Sequence, residues 1–107
     1  MSARLLLVPR RLANDDVEQA VAWYRDEAGI GTANAFINAL EAAYARIASA
    51  PDNGSPRYGY ELGLPGLRTR GLKRFPYIVC YVRQPTYVDI WRVLHGKRDV
   101  PAALMLD

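Results

Sequence analysis

The sequence predicts a small α+β fold, a single domain over residues 1–107 in which an antiparallel sheet packs on a helical hairpin in the order β-α-α-β-β-β. Three observations predict it. Two neighbouring segments carry apolar residues at helical spacing, with only a few residues between them. Three segments rich in aromatic and β-branched residues follow, separated by short turns. The chain is 107 residues long, 50% hydrophobic and 23% charged, a globular composition with length for one domain and not two.

The elements follow in order. Residues 3–8 end in Leu-Leu-Leu-Val and read as a short strand that Pro9 stops or confines to an edge. Asn14 is a candidate N-cap for the first helix, with Asp15, Asp16 and Glu18 placing negative charge at its positive end. Val17, Ala20, Val21, Tyr24 and Ala28 then share one helical face, and Gly29 and Gly31 end the run. Thr32 is a candidate cap for a second helix, whose apolar face is Phe36, Ile37, Leu40, Tyr44 and Ile47 and which closes at Pro51. Residues 51–66 hold three prolines and four glycines without periodicity and read as a long loop, a kind that tends to be functional or mobile. Strands are expected over 67–72, 75–83 and 87–94, with Lys73-Arg74 as a tight turn and Gln84-Pro85-Thr86 as the next. The tail from Val100 to Leu106 can add a short helix, with Pro101 at an allowed first-turn position. One face of the sheet should pack on the helices, and the other should carry the arginines and tyrosines.

Composition excludes several classes of function. The only cysteine, Cys80, forbids an internal disulfide and a cysteine-based zinc site, and the only histidine, His95, forbids a multi-histidine metal site. No metal or cofactor is expected. The apolar run Leu5 to Val8 is too short for a membrane span or a signal-peptide core, so a cytoplasmic protein with no membrane partner is expected. The net charge is a mild +3, but residues 1–54 carry five arginines against seven acids and residues 55–107 carry nine basic residues against four acids. Within 67–98, eight basic residues face one acid, Asp89. Such a patch is a solvated face or a site for nucleic acid, a nucleoprotein or an acidic protein partner.

Nucleophilic catalysis is poorly supported. Cys80 lies mid-strand between Val79 and Tyr81 and reads as a buried core thiol. Gly63 to Gly66 lacks the lysine and helix start of a phosphate loop. The constellation that remains is Arg68, Arg70, Tyr77, Tyr81, Arg92, His95, Lys97 and Arg98. Arginines there could contact phosphates and the rings could stack on bases, and a metal-free ribonuclease could use His95 as one half of an acid–base pair. The large aromatics Trp23, Tyr24 and Trp91 read as core edge or as a groove for a partner's amphipathic helix.

Three segments carry a resemblance: Ala-Trp-Tyr-Arg-Asp-Glu at 22–27, Gly-Leu-Arg-Thr-Arg-Gly-Leu-Lys-Arg-Phe-Pro-Tyr-Ile-Val-Cys-Tyr at 66–81, and Trp-Arg-Val-Leu-His-Gly-Lys-Arg-Asp at 91–99. With the order of elements they resemble the ParE/RelE toxin superfamily of type II toxin–antitoxin systems, across residues 4–106, and the last segment resembles the ParE branch most. In that superfamily RelE-like members cut mRNA on the ribosome, whereas ParE-like members inhibit DNA gyrase without catalysis. Arg68 and Arg70 match the basic pair of the RelE-type site and Arg98 matches its late arginine. Tyr77 stands where that site has its middle arginine, and Leu104 where it has a terminal tyrosine. A ribonuclease lacking both groups should be slow, each lost contact typically costing ~10²–10³ in rate.

The resemblance therefore implies a non-enzymatic gyrase inhibitor, held by a ParD-like antitoxin in a hetero-oligomeric complex, with a ribosome-dependent mRNA endonuclease as the alternative. Arg68, Arg70, Tyr77, Arg92, His95 and Arg98 are the expected target- or antitoxin-binding residues, and Trp23, Tyr24 and Trp91 the groove. Asp99 is expected to ion-pair with a nearby arginine.

Overall fold

The computed structural model describes residues 4–105. The expected residues Ala3 of the first strand and Leu106 of the tail lie outside them. The elements are β1 (Leu6–Pro9), α1 (Arg11–Ala28), α2 (Ile30–Ser49), a 3-10 turn (Pro51–Asn53), α3 (Arg57–Leu62), β2 (Leu67–Gly71), β3 (Tyr77–Arg83), β4 (Tyr87–His95) and α4 (Val100–Leu104).

The helical hairpin forms as expected, but its ends differ. α1 starts three residues before Asn14, because the chain enters the helix directly after Pro9 and the Asn14 N–H already bonds the Arg10 carbonyl at 3.1 Å. Gly29 alone connects α1 and α2. Its φ of 92° is the conformation that makes glycine the economical residue for a one-residue turn. Gly31 and Thr32 consequently lie inside α2, and the Thr32 hydroxyl donates back to the Ala28 carbonyl at 3.3 Å instead of capping.

The sheet order is β1-β4-β3-β2. The β2-β3-β4 meander is antiparallel, but β1 pairs parallel to β4, so the sheet is mixed and not purely antiparallel. The reason is topological. The hairpin brings the chain back beside the start of β1, where the Leu5 N–H bonds the Ala48 carbonyl at 3.2 Å. β2 then runs in the direction of β1, and two reversals leave β4 parallel to both. The β3–β4 register shifts between Cys80 and Tyr81, with Trp91 as the extra residue on β4.

Both faces of the sheet are packed. Phe36, Leu40, Ala43 and Ile47 of the hairpin bury Val79, Tyr81, Val88, Ile90 and Val93. On the other face Leu67, Cys80 and Leu94 pack with Val100, Ala103 and Leu104 of α4 and with Tyr58 and Leu62 of α3. The expectation of an open arginine- and tyrosine-bearing face is thus overturned. Arg68 and Arg70 pair in register with Tyr81 and Val79, which places them at the edge of the hairpin-covered face. The segment 51–66 is not a bare loop. It contains the 3-10 turn and α3, and Ser55 bridges Thr69 on the outer edge of β2. Cys80 is fully buried, and burial pushes its thiol up to about 12. Asp99 caps α4, accepting from the Ala102 N–H at 3.2 Å, which is its structural job here in place of the expected ion pair.

Candidate functional site

The open feature of the molecule lies at the end of the sheet where the β2–β3 turn and the end of β4 meet α1. Aromatic residues from α1, α2, the β2–β3 turn, β3 and β4 build it. Tyr24 on α1 packs edge-on to Phe75 at 5.1 Å and beside Phe36 at 5.3 Å between ring centroids. Tyr77, the first residue of β3, packs on Phe36 at 5.1 Å and on His95, its register partner, at 5.2 Å. Trp23 stands above this cluster, edge-on to Tyr24 at 5.1 Å and 57% exposed.

Two adjoining depressions result. One, of about 440 Å³, is lined by Trp23, Tyr24, Pro76, Tyr77 and His95. The other, of about 220 Å³, shares Trp23, Tyr77 and His95 and adds Asp16, Gln19 and Arg98 with Ala20, Val93 and Leu94. One wall is apolar and the other carries the Arg98 guanidinium. Burial raises the phenol of Tyr77, with Tyr24 and Asp16 adding to it, and burial raises that of Tyr24. Neither is disposed to ionise and act as a base. His95 Nδ1 accepts the Lys97 N–H at 3.1 Å, which assigns the ring proton of the neutral tautomer to Nε2. The groove offers stacking area, one cation and hydrogen-bond donors, a chemistry of contact more than of proton transfer.

Beneath it lies an ion pair. Arg92 Nε and Nη2 donate to the two oxygens of Asp16 at 2.7 and 2.8 Å, and Arg92 Nη1 reaches the Ala103 carbonyl at 3.3 Å. Asp16 Oδ2 also accepts the Val93 N–H at 3.0 Å. β1 pairs with β4 only as far as Ile90. Where β1 stops, this carboxylate takes over the outer edge of β4. Arg92 is 6% exposed, so the expectation that it meets a partner is overturned: it ties α1, β4 and α4 together.

The structure brings Trp23, Tyr24, Tyr77, His95 and Arg98 to one groove and separates the other expected residues. Arg68 is half-buried and donates from Nη1 to the Gly54 carbonyl at 2.8 Å, holding the segment after the 3-10 turn. Tyr81, expected among the exposed tyrosines, is fully buried and donates to the Pro51 carbonyl at 2.7 Å. Arg70 lies beside Arg4 and Arg46, facing the end of α2. Trp91 belongs to the α4 side, where its Nε1 donates to Asp89 at 3.0 Å and the Arg10 guanidinium stacks on it at 4.6 Å. From the sequence alone Asp16 reads only as helix-terminal charge. Its partner is 76 residues away, and no local pattern signals such a pair.

Among the described residues, no group of three or more His, Cys, Asp or Glu side chains could hold a metal ion, and no helix is long and apolar enough to cross a membrane. A family model described as the ParE toxin of type II toxin–antitoxin system, parDE, matches residues 7–100. The fold is similar to that of a solved structure of the chromosomal ParDE TA system from P. aeruginosa. That likeness has a TM-score of 0.73 at 19% identity, and it covers 90% of this chain and 100% of that one. No curated protein matches the sequence.

Proposed function

The chain belongs to the ParE toxin family of type II toxin–antitoxin systems, and from that premise we propose that it inhibits DNA gyrase by binding, without catalysis, and is neutralised by a ParD-like antitoxin. Toxin and antitoxin form a hetero-oligomeric complex in the cytoplasm in this reading. The observation that carries it is the composition of the groove between α1 and the end of β4. Trp23 supplies a large exposed anchor, Tyr77 and His95 an edge-on aromatic floor, and Arg98 a charge at the rim. Exposed aromatics beside an arginine are the residues that dominate protein–protein interfaces.

The alternative, a ribosome-dependent mRNA endonuclease, needs a base for the 2′-hydroxyl and an acid for the leaving oxygen. Both tyrosines of the groove have raised phenol pKa values, and His95 Nδ1 is engaged by a backbone N–H. These features make both tyrosines poor bases for the 2′-hydroxyl and leave His95 an Nε2–H donor.

The test uses purified protein, supercoiled plasmid and gyrase. Linear DNA released on protein denaturation, rising with protein concentration, is the expected result. Intact plasmid from a folded sample that still arrests growth would overturn the gyrase reading and direct the search to the ribosome.

A further inference from the structure

Two turns lie side by side at the end of the sheet that carries the aromatic groove. The β2–β3 turn spans residues 72–76, and the turn between β4 and α4 spans 96–99. The Gly96 N–H donates to the Pro76 carbonyl at 2.7 Å, and Tyr77 pairs with His95 where the strands meet the turns. Each turn is fixed from behind. Leu72 is buried, Phe75 packs on Tyr24 and Phe36 at 5.1 and 5.4 Å between ring centroids, and the Arg98 N–H bonds the His95 carbonyl at 3.0 Å. What the turns hold out to solvent is positive charge. Lys73 and Arg74 from one, and Lys97 and Arg98 from the other, are all exposed. Among the described residues none of these four side chains forms an ion pair, whereas Arg10, Arg57, Arg83 and Arg92 all meet acids. The carboxylates of the same turn and of the adjoining groove are engaged elsewhere: Asp99 caps α4 and Asp16 holds Arg92. Arg74 also sits at φ of 70°, so a cation stands at the tip in a strained conformation that glycine would adopt easily. Like charges gathered without counter-charge do not stabilise a domain. The cluster is built for an anion that the described residues do not supply.

We infer that the two turns grip the phosphate backbone of duplex DNA. Two of the four cations are lysines, compact charges that suit phosphates along a strand. The planar, paired contact by which guanidinium holds a carboxylate is open to the two arginines only. Single-stranded nucleic acid is the poorer fit, because its capture uses free ring faces for the bases. Tyr24, Phe75, Tyr77 and His95 pack edge-on with one another, and Trp23 alone of the groove aromatics is exposed. The role of the contact, holding the toxin on DNA that gyrase has bound, rests on the reading in the previous subsection. The affinity for DNA does not.

The test is fluorescence anisotropy of the full chain with a labelled random-sequence DNA duplex, repeated across potassium chloride concentrations. Four neutralised phosphates give a slope of about −3.6 in log K against log salt, roughly a hundredfold loss of affinity between ~50 and ~200 mM. Lys73→Gln combined with Lys97→Gln should halve that slope and cut the loss to about tenfold. Both lysines are exposed, so the variant folds as the parent does. Arg4→Gln combined with Arg46→Gln, beside the far end of α2, should leave the slope unchanged. Absence of duplex binding at low salt would overturn the inference. So would an unaltered slope in the lysine variant, an equal drop in the arginine variant, or tighter binding of single-stranded RNA or polyglutamate than of the duplex. Gyrase is absent from the assay, so a negative result here and a failure of the gyrase reading are told apart.

Discussion

Asp16 and Arg92 form a two-pronged ion pair at 2.7 and 2.8 Å, with side chains only 9% and 8% exposed. Removing one partner leaves a buried charge uncompensated, which costs about 3–5 kcal/mol. Asp16→Ala and Arg92→Ala should each destabilise by about that amount in urea unfolding. The double variant should cost clearly less than the sum. Additive losses would show that the two groups act independently.

Trp23 offers the opposite case. It is 57% exposed, so Trp23→Ala should change unfolding free energy by only about 0.5 kcal/mol or less. Antitoxin binding, measured by calorimetry, should weaken by roughly thirtyfold, the equivalent of a ~2 kcal/mol anchor. Undiminished binding would remove the groove from the interface.

Gly54 tests the segment that follows the 3-10 turn. A Cβ there would collide with the Tyr81 hydroxyl and lie 3.0 Å from the Arg68 Cβ. Tyr81 is held in turn by the Pro51 carbonyl at 2.7 Å and cannot move aside freely. Gly54→Ala should cost about 1–3 kcal/mol in denaturant unfolding. A neutral effect would show that the segment yields.

Arg74 occupies the β2–β3 turn with φ of 70°, where a side chain is strained. Arg74→Gly relieves that strain at the expense of a more flexible unfolded chain, so thermal unfolding should register a small net gain, about 0.5 kcal/mol. Arg74→Val should be destabilising by more than 1 kcal/mol, roughly, because a β-branched residue tolerates this region least.

Alkaline unfolding should be early and traceable. Burial raises the Cys80 thiol from 9.0 to about 12, and burial, then Asp16, raises the Tyr44 phenol from 10.0 to about 12. Both groups are neutral when folded, so their contribution is complete below 9.0 and 10.0 and is lost as pH climbs through about 12. Urea unfolding across a series from pH ~8 to ~12 should show stability falling throughout that window, and Tyr44→Phe should flatten the upper part of the fall. An unchanged profile in Tyr44→Phe would show that other groups drive it.

What the sequence made legible was whatever repeats at short range. The apolar period of Val17 to Ala28 and of Phe36 to Ile47 located both helices, and the alternation around Arg68 and Arg70 put those two on one face. Alternation does not say which face. That was decided by pairing with Val79 and Tyr81 across the sheet. The helix starts are not legible, because Asn14 and Thr32 are good caps in the abstract, whereas the true boundary residues Arg10 and Gly29 make no side-chain cap at all. α3 leaves no sequence signal because six residues are too few to display a period, although Gly63 in the left-handed conformation marks its end. In the candidate site, Trp23 and Tyr24 were readable as unusual aromatics. Trp91 was equally unusual and belongs elsewhere, and the Asp16–Arg92 pair is set by topology alone.

The parallel ladder between β1 and β4 has a consequence for synthesis. Leu6–Pro9 is translated about 80 residues before its partner, Tyr87–Ile90. At roughly 5–20 residues per second the ribosome needs about 4–16 s to supply the second after the first. During that interval the amino-terminal strand has no ladder to join, and the edge that Asp16 occupies does not yet exist. A chain cut short before Tyr87 would leave its opening strand permanently without a ladder.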